Sequence, residues 1–158
     1  MSSRAEQRTP SVFVHDFSPV NVDFERAAAL FVDLLDPAVV AAHATAASQR
    51  EGLGPVAPLG MIDTALGSPR WRTDAVLVPL RWFRQDEIGI ELDADLELAR
   101  YVPGRCHLHL LGRVTLPDGM EPRTPASSLY GRQAVAIVRG ALTGLADELA
   151  TRASITAA

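Results

Sequence analysis

Two alternating stretches, separated by only three residues, constrain this chain more than any other feature. From Glu91 to Tyr101, Leu92, Ala94, Leu96 and Leu98 occupy every second position, with Glu91, Asp93, Asp95 and Glu97 between them. From Arg105 to Leu116, Cys106, Leu108, Leu110, Val114 and Leu116 alternate with Arg105, His107, His109, Arg113 and Thr115. A period of two marks a strand with one buried face. The two stretches are therefore expected to form an antiparallel hairpin about Val102-Pro103-Gly104. Directly opposed side chains share a face, so odd positions must oppose odd ones unless a bulge intervenes. The loop must then hold an odd number of residues. A three-residue loop, with Gly104 at the positive φ such loops need, predicts Glu97 opposite His109 and Asp93 opposite Arg113. Pro103 is awkward at the second loop position, which leaves a five-residue loop as the alternative. A slip of one residue would bury four carboxylates.

Around this hairpin the rest of the chain reads in order. Residues 1–10 are polar and are expected to be a disordered leader. Ser11 to Phe17 reads as a strand ended by Ser18-Pro19, with Phe13, His15 and Phe17 as its inward face. A helix is predicted from about Asp23 to Leu35, capped by Asp23 or Asn21. It buries Phe24, Ala27, Ala28, Phe31, Leu34 and Leu35. Asp36-Pro37 breaks it and starts a second, Ala-rich helix that runs to about Arg50 and packs lightly. Gly60 to Gly67 is a weak strand signal. Arg72 to Arg84 is a strong one, and Pro79 inside it demands an edge or a bulge. Four strands are thus expected after the helix pair. A long helix follows from about Ser127 to Arg152. Ala134, Val138, Ala141, Leu142, Leu145 and Leu149 form its buried stripe, and Arg132, Arg139, Thr143 and Asp147 lie opposite. Gly140 is placed facing outward. One domain over 11–152 and a flexible tail at 153–158 complete the expected organisation.

Composition limits what such a fold can do. The chain has 158 residues, of which 47% are hydrophobic, so a sizeable core is available. The formal net charge of −4 argues against a nucleic-acid partner. All 15 basic residues are Arg, and Ala is abundant, as GC-rich bacterial codon usage would produce. No run of about 18 apolar residues predicts a membrane span. The polar N-terminus carries no secretory signal pattern, so a cytoplasmic protein is expected. A single cysteine, Cys106, can form neither an intrachain disulfide nor a thiolate metal site.

The order strand, two helices, antiparallel strands, long terminal helix resembles the START-like (SRPBCC) superfamily. The likeness is carried by Val78-Pro79-Leu80-Arg81-Trp82, by Asp93-Ala94-Asp95-Leu96-Glu97-Leu98-Ala99, and by Pro103-Gly104-Arg105 through Leu110-Leu111-Gly112-Arg113 with the terminal helix behind Pro117. The resemblance implies an α+β helix-grip fold, with the sheet curled around the C-terminal helix. It also implies either a carrier or sensor of an apolar or amphipathic small molecule, a polyketide-cyclase-type enzyme, or an interaction domain with a filled interior. Fold membership does not choose among these.

The residues weigh toward a binding site rather than a reaction centre. His107 and His109 share a strand face, as a metal pair needs, but that face points outward toward Glu97 and Asp93. Cross-strand charge pairing is the simpler account. The acidic strand face reads as solvated. Cys106 lies among leucines and is expected to be inert. No nucleophile elbow, phosphate loop or zinc helix motif occurs. No catalytic residue, metal or cofactor is assigned. Arg100 continues the inward register of Leu92 to Leu98, Trp82 is in register with Val76, Val78 and Leu80, and Tyr130 opens the terminal helix. Together with Leu96, Leu98, Leu108, Leu110, Ala134 and Val138, these three are expected to line one void and hold an amphipathic ligand. Snorkelling of Arg100 and simple core filling by the aromatics is the competing reading. The oligomer is expected to be a monomer or a homodimer.

Overall fold

The computed structural model describes residues 9–51, 62–83 and 90–156. The elements in order are β1 (Ser11–Val20), α1 (Phe24–Leu34), α2 (Pro37–Glu51), β2 (Asp63–Leu66), β3 (Arg70–Trp71), β4 (Ala75–Phe83), β5 (Glu91–Val102), β6 (Arg105–Thr115) and α3 (Pro125–Thr156). Six antiparallel strands form one sheet in the order β1-β6-β5-β4-β2, with β3 also paired to β4. The long α3 lies over the inner face, mainly against β1 and β6, and α2 crosses it. This is the α+β helix-grip arrangement. Five strands follow the helix pair rather than four, because the two-residue β3 is separated from β4 at Arg72–Asp74. The weak signal over Gly60 to Gly67 resolves to β2, with residues 60 and 61 outside the described ones. The expected leader likewise falls outside them over 1–8, while the Pro10 carbonyl accepts from Leu116 N–H at 2.9 Å.

The hairpin has the predicted register. Glu97 stands opposite His109 and Asp93 opposite Arg113. The turn differs in detail: Val102 pairs with Arg105, and Tyr101 is the extra residue of a bulge between Arg100 and Val102. A two-residue turn with one bulged residue preserves the parity that a three-residue loop would give. Gly104 takes φ +79°, and its N–H donates to Asp23 Oδ1 at 2.6 Å. Arg105 Nε donates to Asn21 Oδ1 at 3.1 Å. The two residues expected to cap α1 therefore tie this turn to the chain entering α1, and Asp23 makes no side-chain cap hydrogen bond.

Pro79 lies within β4, and its carbonyl accepts from Gly67 N–H at 2.8 Å. In an antiparallel ladder the N and C=O of one residue point to the same side. The donor that Pro79 lacks therefore points toward Gly67, where β2 ends, so the missing bond falls at the interruption between β2 and β3. A β-carbon at Gly67 would stand 2.9 Å from Pro79 Cβ, so the close approach needs glycine there.

The face of β1 is the reverse of the expected one. Val14, Ser18 and Val20 are buried, whereas Phe13 and Phe17 are 62% and 50% exposed. The strand also runs through Ser18-Pro19 to Val20, because it is the sheet edge and Pro19 costs no ladder bond there. Space explains the choice of face. Gly131 of α3 approaches Val12 closely enough that a β-carbon there would lie 3.5 Å from Val12 Cγ1. Asp16 reaches Arg139 of α3 at 2.8 Å. A helix this near leaves no room for phenylalanine rings.

The helix α1 buries Phe24, Ala27, Ala28, Phe31 and Leu34 as its pattern predicts, with Leu35 just past its end and partly covered. Asp36 Oδ1 accepts from Ala38 N–H at 2.7 Å and starts α2. All six residues of the predicted α3 stripe are buried. The helix continues past the expected tail boundary to Thr156, since Ala153 is buried and Arg26 donates to its carbonyl. Gly140 does not face solvent. A β-carbon on it would stand 2.7 Å from Ala47 Cβ of α2, and one on Gly144 would stand 2.4 Å from His43 Nδ1. Two glycines one turn apart thus let α2 cross α3 closely. His43 Nε2 meets Glu148 Oε2 at 2.6 Å beside that crossing.

Two stability measurements check this packing. Leu145→Ala should lower the urea unfolding free energy by about 2–5 kcal/mol. Gly144→Ala should lower it by about 1–3 kcal/mol through overpacking, with much of the loss recovered in the Gly144→Ala/His43→Ala double variant. Additive losses in the double variant would contradict the helix crossing described.

Candidate functional site

The inner face of the sheet is a stack of cross-strand rows. One end row is Val12–Val114–Leu92–Trp82, and the next is Val14–Gly112–Ala94–Leu80. Two leucine rows follow, Leu110–Leu96–Val78 and Leu108–Leu98–Val76, and the far row holds Val20, Cys106 and Arg100. At the narrow second row a β-carbon on Gly112 would lie 2.4 Å from both Ala94 Cβ and Asp93 O. Leu96, Leu98, Leu108, Leu110, Ala134 and Val138 are all buried in one continuous core. Tyr130 is buried too, next to Gly131, which sits against Val12. Gly131 thus places the start of α3 beside the end row that holds Trp82.

Arg100 does not join them. It lies eight residues along β5 from Leu92, the partner of Trp82, which is about 26 Å at the usual strand rise. It keeps the inward register, opposite Cys106, but stands at the end of the sheet. There its guanidinium lies 4.8 Å from the centre of the Phe24 ring and donates to Glu25. Hydrogen bonding to Glu25 raises the Arg100 pKa, and the same bond lowers that of Glu25. Arg100 snorkels out over α1, and its role is to seat that helix on the sheet. His15 is also lost to the interior, because it stands on the outer face of β1.

What remains inside is apolar with a few polar atoms. Trp82 is 1% exposed, and its Nε1 has no hydrogen-bond partner among the described residues. Ser18, Ser127 and Gln133 are buried polar side chains as well. Gln133 was not singled out by the sequence, although its spacing of three from Tyr130 places both on one helix face. A hollow of about 530 Å³ lies between α2 and β2, with Ala38, Ala41, Ala42, Thr45 and Ile62 in its wall. The sequence signals it only as the small-residue composition of α2.

The remaining candidates behave as structural residues. Cys106 is fully buried, and burial, with the charge of Asp23, pushes its thiol up to about 11. The acidic residues of β5 stand on the outer face, where Arg70 pairs with Asp95 at 3.3 Å. Among the described residues no group of three or more His, Cys, Asp or Glu side chains is placed to hold a metal. No single described helix is long and apolar enough to cross a membrane.

No family model matches the chain, and no curated protein matches it. Several solved structures follow a similar course of chain. The ZhuI aromatase/cyclase from Streptomyces sp. R1128 is 12% identical with a TM-score of 0.40, over 90% of this chain and 96% of that one. Norcoclaurine synthase from Thalictrum flavum, in complex with dopamine and hydroxybenzaldehyde, is 9% identical with a TM-score of 0.37, over 88% and 92%. The protein TTHA0849 from Thermus thermophilus is 12% identical with a TM-score of 0.29, over 86% and 97%.

Alkylation by iodoacetamide tests the Cys106 environment. With the thiol raised to about 11, roughly one molecule in a thousand carries thiolate near pH 8. The folded protein should stay unmodified on the timescale in which the urea-unfolded chain reacts fully. Rapid labelling of the folded state would show that the Cys106 row is open.

Proposed function

We propose that this protein binds an apolar or amphipathic small molecule between the sheet and α3, at the end marked by Trp82 and Tyr130, and acts as a carrier or sensor. The observation that carries this reading is the Trp82 indole N–H. A buried donor without an acceptor costs about 1–3 kcal/mol, and native interiors rarely leave one unmatched. A bound molecule with a carbonyl, hydroxyl or carboxylate oxygen would supply the acceptor, while its apolar body would rest on the leucine rows.

A reaction centre has less support. Of the three residues that could serve one, Arg100 is held over α1 and His15 lies on the outer face. Tyr130 is what remains, and a single phenol does not by itself build acid–base catalysis.

The two tryptophans allow a clean test, because Trp71 is 60% exposed and Trp82 is buried. In a Trp71→Phe background, Trp82 is the only indole emitter. Anilinonaphthalene sulfonate, an amphipathic probe with an acceptor oxygen, should quench that emission saturably. Trp82→Phe, which removes the N–H and keeps most of the ring volume, should weaken probe binding by about 3–10-fold, the worth of one hydrogen bond. Native mass spectrometry of the purified protein should show a retained mass that Trp82→Phe loses more readily. Unchanged Trp82 emission, together with equal probe affinity in the two proteins, would overturn the proposal.

A further inference from the structure

The outer face of the sheet carries a cluster that ligand binding in the interior leaves unused. His15 and Phe17 of β1 stand outward beside Leu111 and His109 of β6. Their rings form a chain. Tyr101 stacks on His107 with centroids 4.2 Å apart, His107 on Phe17 at 5.0 Å, and Phe17 on His109 at 5.6 Å. His109 ends it against His15 at 5.7 Å, with ring planes inclined by 24°. His15 Nε2 and His109 Nδ1 lie 3.4 Å apart. The centroid separation is close to that gap plus the two ring radii, so the nitrogens meet head-on along the line of ring centres. This geometry suits one N–H facing one lone pair. It does not suit a chelate, in which both lone pairs converge on an ion lying to one side.

The arrangement accepts one proton in the gap and rejects a second. A neutral imidazole has one donor and one acceptor, whereas an imidazolium donates from both nitrogens. With both rings charged, two N–H groups and two positive charges would oppose each other across 3.4 Å. The groups facing His109 are His15 from β1, His107 on its own strand and Glu97 from β5. β1 is the sheet edge, so no further strand faces His15. Burial holds His109 below the ordinary imidazole value. Glu97 works against this, while His107 and His15 add to it.

We propose that His15 and His109 form a proton-sensitive latch on the outer face of the sheet, closed while a single proton occupies the gap and open once both rings are charged. The exposed His15 is the ring free to swing away. Its departure uncovers His109 and removes the last ring of the chain. A neutral aromatic patch beside Glu97 and Asp95 thereby becomes a cationic one. The closed form binds fewer protons, so it is favoured as pH rises through the histidine range and lost as pH falls.

Proton NMR of the ring resonances, followed from about pH 8 to about pH 5 across the histidine range, tests the latch without any ligand. The His109 midpoint should lie lower in the wild-type protein than in His15→Gln, as coupled sites require. Phe17 ring signals should move at that same midpoint in the wild-type protein. They should show no step at that midpoint in His109→Gln, and in His15→Gln the step should move with the His109 midpoint to higher pH. His107→Gln should keep the step, and so should Trp82→Phe, which separates the latch from interior ligand binding. His15 is exposed, so its substitution should leave the far-UV circular dichroism unchanged. Equal His109 midpoints in wild type and His15→Gln, or Phe17 signals that ignore the titration, would overturn the proposal.

Discussion

The structure rests on the register of the β5–β6 hairpin. Parity alone separates four carboxylates from the leucine rows. β4 inherits the separation, and β1 breaks it only at Asp16, which stands opposite Leu110 and pairs with Arg139 of α3. β4 docks on β5 with Val76, Val78, Leu80 and Trp82 on the leucine side, and β1 docks on β6 with Val12, Val14, Ser18 and Val20 there. A one-residue slip would bury several carboxylates at once, at a cost far above the few tenths of a kcal/mol that each cross-strand pair contributes. The bulge at Tyr101 preserves this register, because it absorbs the mismatch between a two-residue turn and an odd loop count. It also sends Tyr101 to the outer face, where it stacks on His107.

This explains why the hairpin could be read from sequence to single-residue accuracy while β1 could not. In β5 and β6 the two faces differ in kind, carboxylates and imidazoles against leucines. In β1 both faces contain apolar residues, and the bulkier set is the outer one. The deciding factor is the closeness of α3, which admits Val12 and Val14 but not Phe13 or Phe17. That is a property of two elements more than a hundred residues apart, and no local pattern reports it. The Phe17 ring is not left bare, since His107 and His109 meet it. Phenylalanine on a solvent-side face becomes tolerable when it has rings to stack on.

The terminal helix shows the same division. Its leucine stripe is legible because hydrophobic side chains repeat at helical spacing. The facet that meets α2 is built from Gly140 and Gly144, opposite Ala47 and His43. It makes contact through smallness, and smallness carries no signal in a hydrophobic pattern. The Ala-rich composition of α2 was the visible half of this interface, although it reads by itself as light packing.

The burial of the leucine rows was legible, and the separation of Arg100 from Trp82 was not, for a geometric reason. Register places Arg100 and Trp82 on one face of the sheet, and a common face suggests a common cavity. Yet a strand of twelve residues is long. Eight residues of separation put the two side chains at opposite ends, near opposite ends of α3. The charged one takes the end where α1 offers Glu25 and the Phe24 ring. The neutral one takes the end where α3 begins with Tyr130. The interior is thereby polarised along its length: the Arg100 end carries an ion pair and a buried thiol, and the Trp82 end holds an indole donor that meets no acceptor among the described residues. A donor held in an apolar interior gains most from an acceptor there, where water competes least.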